Sequence, residues 1–189
     1  MKLRMRPTAE ALALVSAFAA SPEEEKSREL ILSLLEFTPA PFSRDQFHPG
    51  HVTCTAVVLH PGGGRVLLMH HHRHHRWLLP GGHVEGSDVT LSDTARREAM
   101  EETAVVIAEA GPAALAGMDV HAIPARKGET FHLHHDLIFA FAATSEELAL
   151  SDEAPQVAWC GTDEFARYQL PGSIIRAAER ALGIYSLQK

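Results

Sequence analysis

Two hydrophobic periods divide the chain. In the first third, apolar side chains recur every three or four positions, with Leu12, Val15, Phe18 and Ala19 on one helical face and Leu30, Ile31, Leu34 and Leu35 on another. Pro7-Thr8 reads as the start of the first helix. Ser21-Pro22-Glu23-Glu24 reads as the start of the second, with Ser21 as N-cap, proline at the first helical position and Glu24 completing a capping box. Residues 39–49, bounded by prolines, break this regularity. From His51 the period falls to two. Val52, Cys54, Ala56 and Val58 alternate, residues 61–64 supply a turn, and residues 65–70 return as a partner strand. Trp77-Leu78-Leu79 is a further short strand. Pro80-Gly81-Gly82 ends it with residues that fix φ or permit unusual φ, so that backbone carbonyls there can face a ligand.

The next helix carries the chemistry. Thr90 with Asp93 starts it as a relative of the capping box, and Leu91, Ala95 and Ala99, four apart, give it an apolar face. Glu98, Glu101 and Glu102 lie at i, i+3 and i+4, which places them on one side of the helix. Like charges so close repel, and far more when desolvated, unless a cation compensates. Arg97 neutralises part of that charge and leaves room for a divalent metal. Hard oxygen ligands without paired cysteines favour Mg²⁺ or Mn²⁺, and Mg²⁺ takes a few carboxylates together with substrate phosphates. A glutamate-rich helix by itself is more often a solvated face; the preceding strand and glycine pair are what change the reading.

This stretch resembles the signature box of the Nudix hydrolases, a glycine pair, an acidic loop and then Arg-Glu-x-x-Glu-Glu on a helix. Here these are Gly81-Gly82, Glu85, Asp88 and Arg97-Glu98-Ala99-Met100-Glu101-Glu102. It departs from the pattern in three places: Asp88 stands for the loop glutamate, one extra residue precedes Arg97, and Ala104 replaces the closing glycine. If position 104 is left-handed, alanine there adds strain of about 1 kcal/mol. The resemblance implies an α/β/α sandwich with a mixed sheet, the box helix and the C-terminal helix covering different sheet faces. It also implies hydrolysis of a nucleoside diphosphate linked to another moiety, X. Metal would be held by Glu98, Glu101, Glu102 and the Gly81 carbonyl, while Arg97 orients Glu98 and Asp88. Glu101, Glu98 and Glu153 are the candidate general bases, in that order. Glu153, or Asp152 beside it, corresponds to the further acidic residue that such enzymes place outside the box.

Composition narrows the class. A chain of 189 residues, 46% hydrophobic and 22% charged, is large enough to bury a real core. The pattern divides it into an N-terminal helical hairpin and linker over residues 1–48, an extension rather than an independent domain, and a main α/β domain over residues 49–189. The hairpin's plain role is packing, and its sharper roles are a homodimer surface or a lid. A net charge of −7 and a pI near 6.0 argue against a nucleic-acid polymer as partner and leave a small phosphorylated substrate compatible. Cys54 and Cys160, both in apolar runs, suit buried thiols and a reducing, cytoplasmic compartment. The basic start followed by an apolar run over residues 11–20 has the outline of a leader, but Glu10 borders the run and Pro7-Thr8 starts a helix. The run is too short to span a bilayer, so no membrane association is expected.

Three further stretches bear on the site. Residues 70–76, HHHRHHR, read as a solvated loop tip, since consecutive histidines alternate sides and lack a fixed ligand spacing; Arg73 and Arg76 are candidates to reach substrate phosphates. Residues 105–108 and 115–120 read as strands, and residues 124–128 as a mobile loop. In FHLHHDLIFAFAAT, Phe131, Leu133, His135, Leu137, Phe139 and Phe141 share one face, while His132, His134 and Asp136 share the other. The second face is a candidate base or nucleobase-binding wall. Residues 156–160 complete the strands, Thr162 caps a short helix to Tyr168, and residues 173–182 form a last helix ended by Gly183, with Ile174, Ile175, Ala178 and Leu182 inward. Two other readings stand beside hydrolysis. A nucleotide-sensing module that does not cleave would be expected to have lost box glutamates, and an allylic diphosphate isomerase would need a reactive cysteine, for which Cys54 is poorly placed.

Overall fold

The computed structural model describes residues 7–108, 113–126 and 128–186. The basic start of the leader-like outline, residues 1–6, and Lys127 of the loop expected over 124–128 lie outside them. Helices α1 (Pro7–Ala17) and α2 (Glu25–Phe37) precede strands β1 (Gly50–Leu59), β2 (Arg65–His71), β3 (Arg76–Leu78) and β4 (Gly81–His83). Helix α3 (Leu91–Thr103) follows, then β5 (Ala114–Ile123), β6 (His132–Ala142) and β7 (Gln156–Gly161). A 3₁₀ turn (Thr162–Glu164), α4 (Phe165–Tyr168) and α5 (Gly172–Ser186) end the described chain.

The strands form one mixed sheet in the order β3-β2-β1-β6-β5, with β4 also on β1 and β7 also on β2. β1 and β6 run parallel along their whole length, from Gly50 beside Leu133 to Leu59 beside Ala142. The other edge of β1 is shared, since β4 takes Thr53 to Thr55 while β2 joins at Leu59. The sheet therefore forks at β1, and the glycine pair lies on the inner prong.

β1 is buried on both faces, and its last four residues, Ala56 to Leu59, are accordingly all apolar. Val52, Cys54, Ala56 and Val58 enter one core with Ala11 and Val15 of α1, Ile31, Leu34 and Leu35 of α2, and Leu91, Ala95 and Ala99 of α3. Val57 and Leu59 enter a second core with Ile174, Ala177, Ala178 and Ala181 of α5. The box helix and the C-terminal helix thus cover opposite faces, and the expected α/β/α sandwich with an N-terminal helical extension is present.

Several local expectations are corrected. α2 begins at Glu25, and only half of the expected capping box forms. The Ser21 amide donates to Glu24 Oε2 at 2.9 Å, whereas the Ser21 hydroxyl is buried without a partner among the described residues. The cause is tertiary, because Glu24 also accepts from Arg180 of α5 at 2.9 and 2.7 Å. Leu30 is 38% exposed, and Ala19 lies beyond α1 on the surface, so neither joins the inward face. Residues 105–108 make a single bridge, Ile107 to Ala143, in place of a strand, since β5 pairs with β6 only as far as Ala140. Phe131 precedes β6 and is exposed. Thr162 opens the 3₁₀ turn, and α5 runs through Gly183, with Ile175 and Leu182 only partly buried.

Candidate active site

The site is assembled where β4 meets α3. Gly81 and Gly82 pair with Thr55 and Cys54 of β1, and neither takes a positive φ. The expectation of unusual backbone angles here is therefore corrected, and close approach is the reason for glycine. A Cβ on Gly81 would stand 2.7 Å from Thr55 Cα and 2.8 Å from the Cys54 carbonyl oxygen, and one on Gly82 would stand 2.5 Å from Glu98 Cδ. Glycine lets the strand lie against the helix carboxylates.

The loop acid and the helix are joined through Arg97. Its Nε and Nη2 donate to the two Asp88 oxygens at 3.0 Å each, Nη1 reaches Glu98 at 2.9 Å and Glu101 at 3.2 Å, and Nη2 also donates to the His83 carbonyl at 2.9 Å. Asp88 accepts as well from the Glu85 amide at 2.9 Å and the Thr94 hydroxyl at 2.8 Å. Burial works to raise the Asp88 pKa, but the Arg97, Glu85 and Thr94 hydrogen bonds prevail and hold it below the usual range. The hydrogen bonds that it donates to Asp88 hold the Arg97 guanidinium firmly protonated. Both halves of the Thr90–Asp93 capping box form, and Glu10 of α1 accepts from the Leu91 amide at 3.0 Å, adding a cap from the N-terminal extension. At the other end Ala104 is left-handed, with φ 54°, as the spacing predicts for the closing position.

The three helix glutamates differ in environment. Glu101 is 61% exposed on its side chain, Glu98 is 16% exposed, and Glu102 is 5% exposed overall. Among the described residues the Glu102 carboxylate meets one donor, the Gly81 amide, at 2.9 Å. Burial, reinforced by the charges of Glu98, Glu153 and Glu101, pushes its pKa up to about 8. Burial also raises Glu98, although Arg97 offsets part of that. The cluster is short of positive charge, which is the condition that suits a divalent cation on oxygen ligands.

These carboxylates line a cavity of about 1120 Å³. Gly81, Arg97, Glu98, Glu101, Glu102 and Glu153 line it, as do Arg73, Arg76, His134 and Asp136, so the structure brings every sequence-derived site residue to one space. Glu153 is exposed on the rim, where its carbonyl accepts from the His72 amide at 3.0 Å. Asp136 is buried and accepts from the Thr53 hydroxyl at 2.9 Å, with burial raising its pKa. The solvated tip expected over residues 70–76 is present as a turn over residues 72–75, narrower than expected because His70 and His71 end β2 and Arg76 begins β3; His71, His74 and His75 also line the same cavity.

Sequence reasoning passed over His51, Thr53 and His83, which complete the polar wall. The signal was present in β1, where His51, Thr53 and Thr55 alternate with Val52, Cys54 and Ala56. Cys54 is fully buried, with its thiol pushed well up by that burial, and lacks the accessible acidic thiol that isomerisation would need.

A model of the NUDIX domain matches residues 50–179. Solved structures of similar shape include a NUDIX-family hydrolase from Clostridium perfringens, 19% identical over 71% of this chain and 97% of that one, with a TM-score of 0.52. The NUDIX domain of Shewanella oneidensis NrtR, complexed with ADP ribose, is 18% identical over 82% of this chain and 97% of its own, with a TM-score of 0.52. The C. elegans Ap4A hydrolase in a binary complex is 16% identical over 71% and 97%, with a TM-score of 0.50. No curated protein matches the chain by sequence. The chain belongs to the NUDIX domain family. Among the described residues, no helix is long and apolar enough to cross a membrane.

Proposed function

We propose that the protein hydrolyses a pyrophosphate linkage in a nucleoside diphosphate linked to another moiety, X, with Mg²⁺ or Mn²⁺ as cofactor. The observation that carries this reading is the buried Glu102 carboxylate beside Glu98, both against the glycine pair and open to one cavity. Glu98, Glu101, Glu102 and the Gly81 carbonyl would hold the ion. When bound, a divalent ion supplies neutralising charge at phosphate oxygens and acidifies water.

The chain's own groups do the rest. Arg97 fixes Asp88 and Glu98 in one arrangement, and the Gly81 amide aims Glu102. Arg73 and Arg76 on the rim receive substrate phosphates as charge-assisted donors. His134 and Asp136 form the wall against the nucleoside. Water attacks one phosphorus, the bridging P–O bond breaks, and a monophosphate and a phosphorylated partner leave. The water's proton passes to a carboxylate, with Glu101 first among the bases, then Glu98 and Glu153. Glu101 suits the role because it is the most exposed of the helix glutamates.

The NrtR NUDIX domain is complexed with ADP ribose and the C. elegans protein is an Ap4A hydrolase, and both support a nucleotide substrate. The test is Glu102→Gln assayed on ADP-ribose, coenzyme A, dinucleoside polyphosphates and oxidised nucleotides. Nearly complete loss of Mg²⁺-dependent turnover in a folded protein is expected, and retained turnover would remove the carboxylate assignment.

A further inference from the structure

Outside the carboxylate cluster, the same cavity has a second wall made of imidazoles. β1 and β6 run in parallel register with His51 beside His134, and His132 lies two residues before His134 on the same strand face. The ring centroids form a nearly equilateral triangle, 4.9 Å from His51 to His134, 5.0 Å from His51 to His132 and 5.2 Å from His132 to His134. One ring nitrogen of each lies within 4.8 Å of those of the other two. We propose that His51, His132 and His134 form a transition-metal site, distinct from the carboxylate cluster and suited to Zn²⁺.

Three observations support it beyond proximity. First, the rings are oriented from outside. His51 Nδ1 donates to the Gln46 carbonyl at 3.1 Å, and His132 Nδ1 donates to the Thr130 carbonyl at 2.8 Å. Each bond fixes the tautomer that leaves Nε2 with a lone pair, the arrangement in which a metal-ligating histidine is held by a backbone oxygen. Second, His51 Nε2 already acts as an acceptor, for His83 Nε2 at 3.0 Å, and an ion would take that proton's place. The His134 ring makes no hydrogen bond among the described residues, although it touches the rings of His51, His83, His121 and His132. Third, two of the three rings are shielded from water, His51 and His132 being 1% and 3% exposed.

Nitrogen ligands on a tetrahedral zinc stand about 3.3 Å apart, from bond lengths of about 2.0 Å, so small side-chain rotations close the triangle. A trio of imidazoles leaves a coordination position facing the cavity, and nitrogen-only ligation favours Zn²⁺ and its neighbours over Mg²⁺. No glutamate belongs to the trio, so this site stands or falls independently of the carboxylate assignment, although it shares His134 with the proposed nucleoside wall.

The experiment uses tag-free, metal-stripped full-length protein in excess Mg²⁺, titrated with Zn²⁺ by calorimetry and with Co²⁺ by visible absorption. One saturable equivalent is expected, with the intense Co²⁺ bands of tetrahedral ligation. His51→Ala and His134→Ala should each weaken Zn²⁺ binding about tenfold or more. His72→Ala, in the tract outside the trio, and Glu102→Gln should leave it unchanged. If circular dichroism shows that an alanine variant has unfolded, His134→Gln is read in its place. Absence of saturable binding, full affinity in both trio variants, or loss in His72→Ala or Glu102→Gln would overturn the assignment.

Discussion

The backbone N–H of Gly81 donates to Oε2 of Glu102 across 2.9 Å, so the strand after the turn and the last turn of α3 hold one another in place. The next glycine of the pair repeats the relationship without a hydrogen bond, because a Cβ on Gly82 would press on Glu98 at 2.5 Å. Recognition by the helix is therefore written into the absence of two side chains.

The two glycines are expected to fail differently. Gly82→Ala meets the end of a flexible glutamate and should displace it, lowering turnover about a hundredfold with little change in Tm. Gly81→Ala meets the Thr55 and Cys54 backbone, which cannot swing away, and should cost about 1–3 kcal/mol of stability as well. Thermal denaturation beside a turnover assay distinguishes the two, and equal stability losses would contradict the assigned contacts.

Arg97→Lys keeps the charge and loses the fork. Lysine cannot reproduce paired 3.0 Å bonds to both Asp88 oxygens while also reaching Glu98 and the His83 carbonyl. A stability loss of about 1–3 kcal/mol is expected from the urea midpoint, together with reduced turnover. An unchanged midpoint would show that the fork contributes nothing.

Ala104→Gly should stabilise the protein. The residue sits at φ 54°, ψ 17°, where alanine carries a strain of about 1 kcal/mol that glycine lacks. For a chain of this size that corresponds to a rise in Tm of about 2–4 °C, read by calorimetry.

Acid should release the tie between α2 and α5. Burial works to raise the Glu24 pKa, but hydrogen bonds from Arg180 and the Ser21 amide outweigh it and leave the group below its ordinary value of 4.5. A depressed folded pKa gives stability that is present above the unfolded value and lost as pH falls below 4.5 through the folded one. Denaturation midpoints measured down that window should fall more steeply for the wild type than for Glu24→Gln, which has no such carboxylate to protonate.

Local order was legible along the chain. The capped start of α3, its apolar stripe at Leu91, Ala95 and Ala99, and the gathering of Glu98, Glu101 and Glu102 follow from helical spacing and short-range hydrogen bonding, which act within a few residues. The same holds for the hairpin of β1 and β2 and for the left-handed turn at Ala104.

Contacts between distant segments were decided only on folding. Glu24 looked like a cap and became the partner of Arg180, 156 residues away. Glu10 looked like the border of an apolar run and became a cap on α3, 81 residues away. His51 and His134 were strand residues in separate runs until the parallel register of β1 and β6 set them side by side. Periodicity fixes which face of an element a side chain occupies, but which faces meet depends on strand order and helix docking, and these minimise exposed apolar area and unpaired buried charge over the whole molecule. That is why the carboxylate cluster on one helix and the shared face of His132 and His134 could be read from sequence, and the joining of His51 to that face could not.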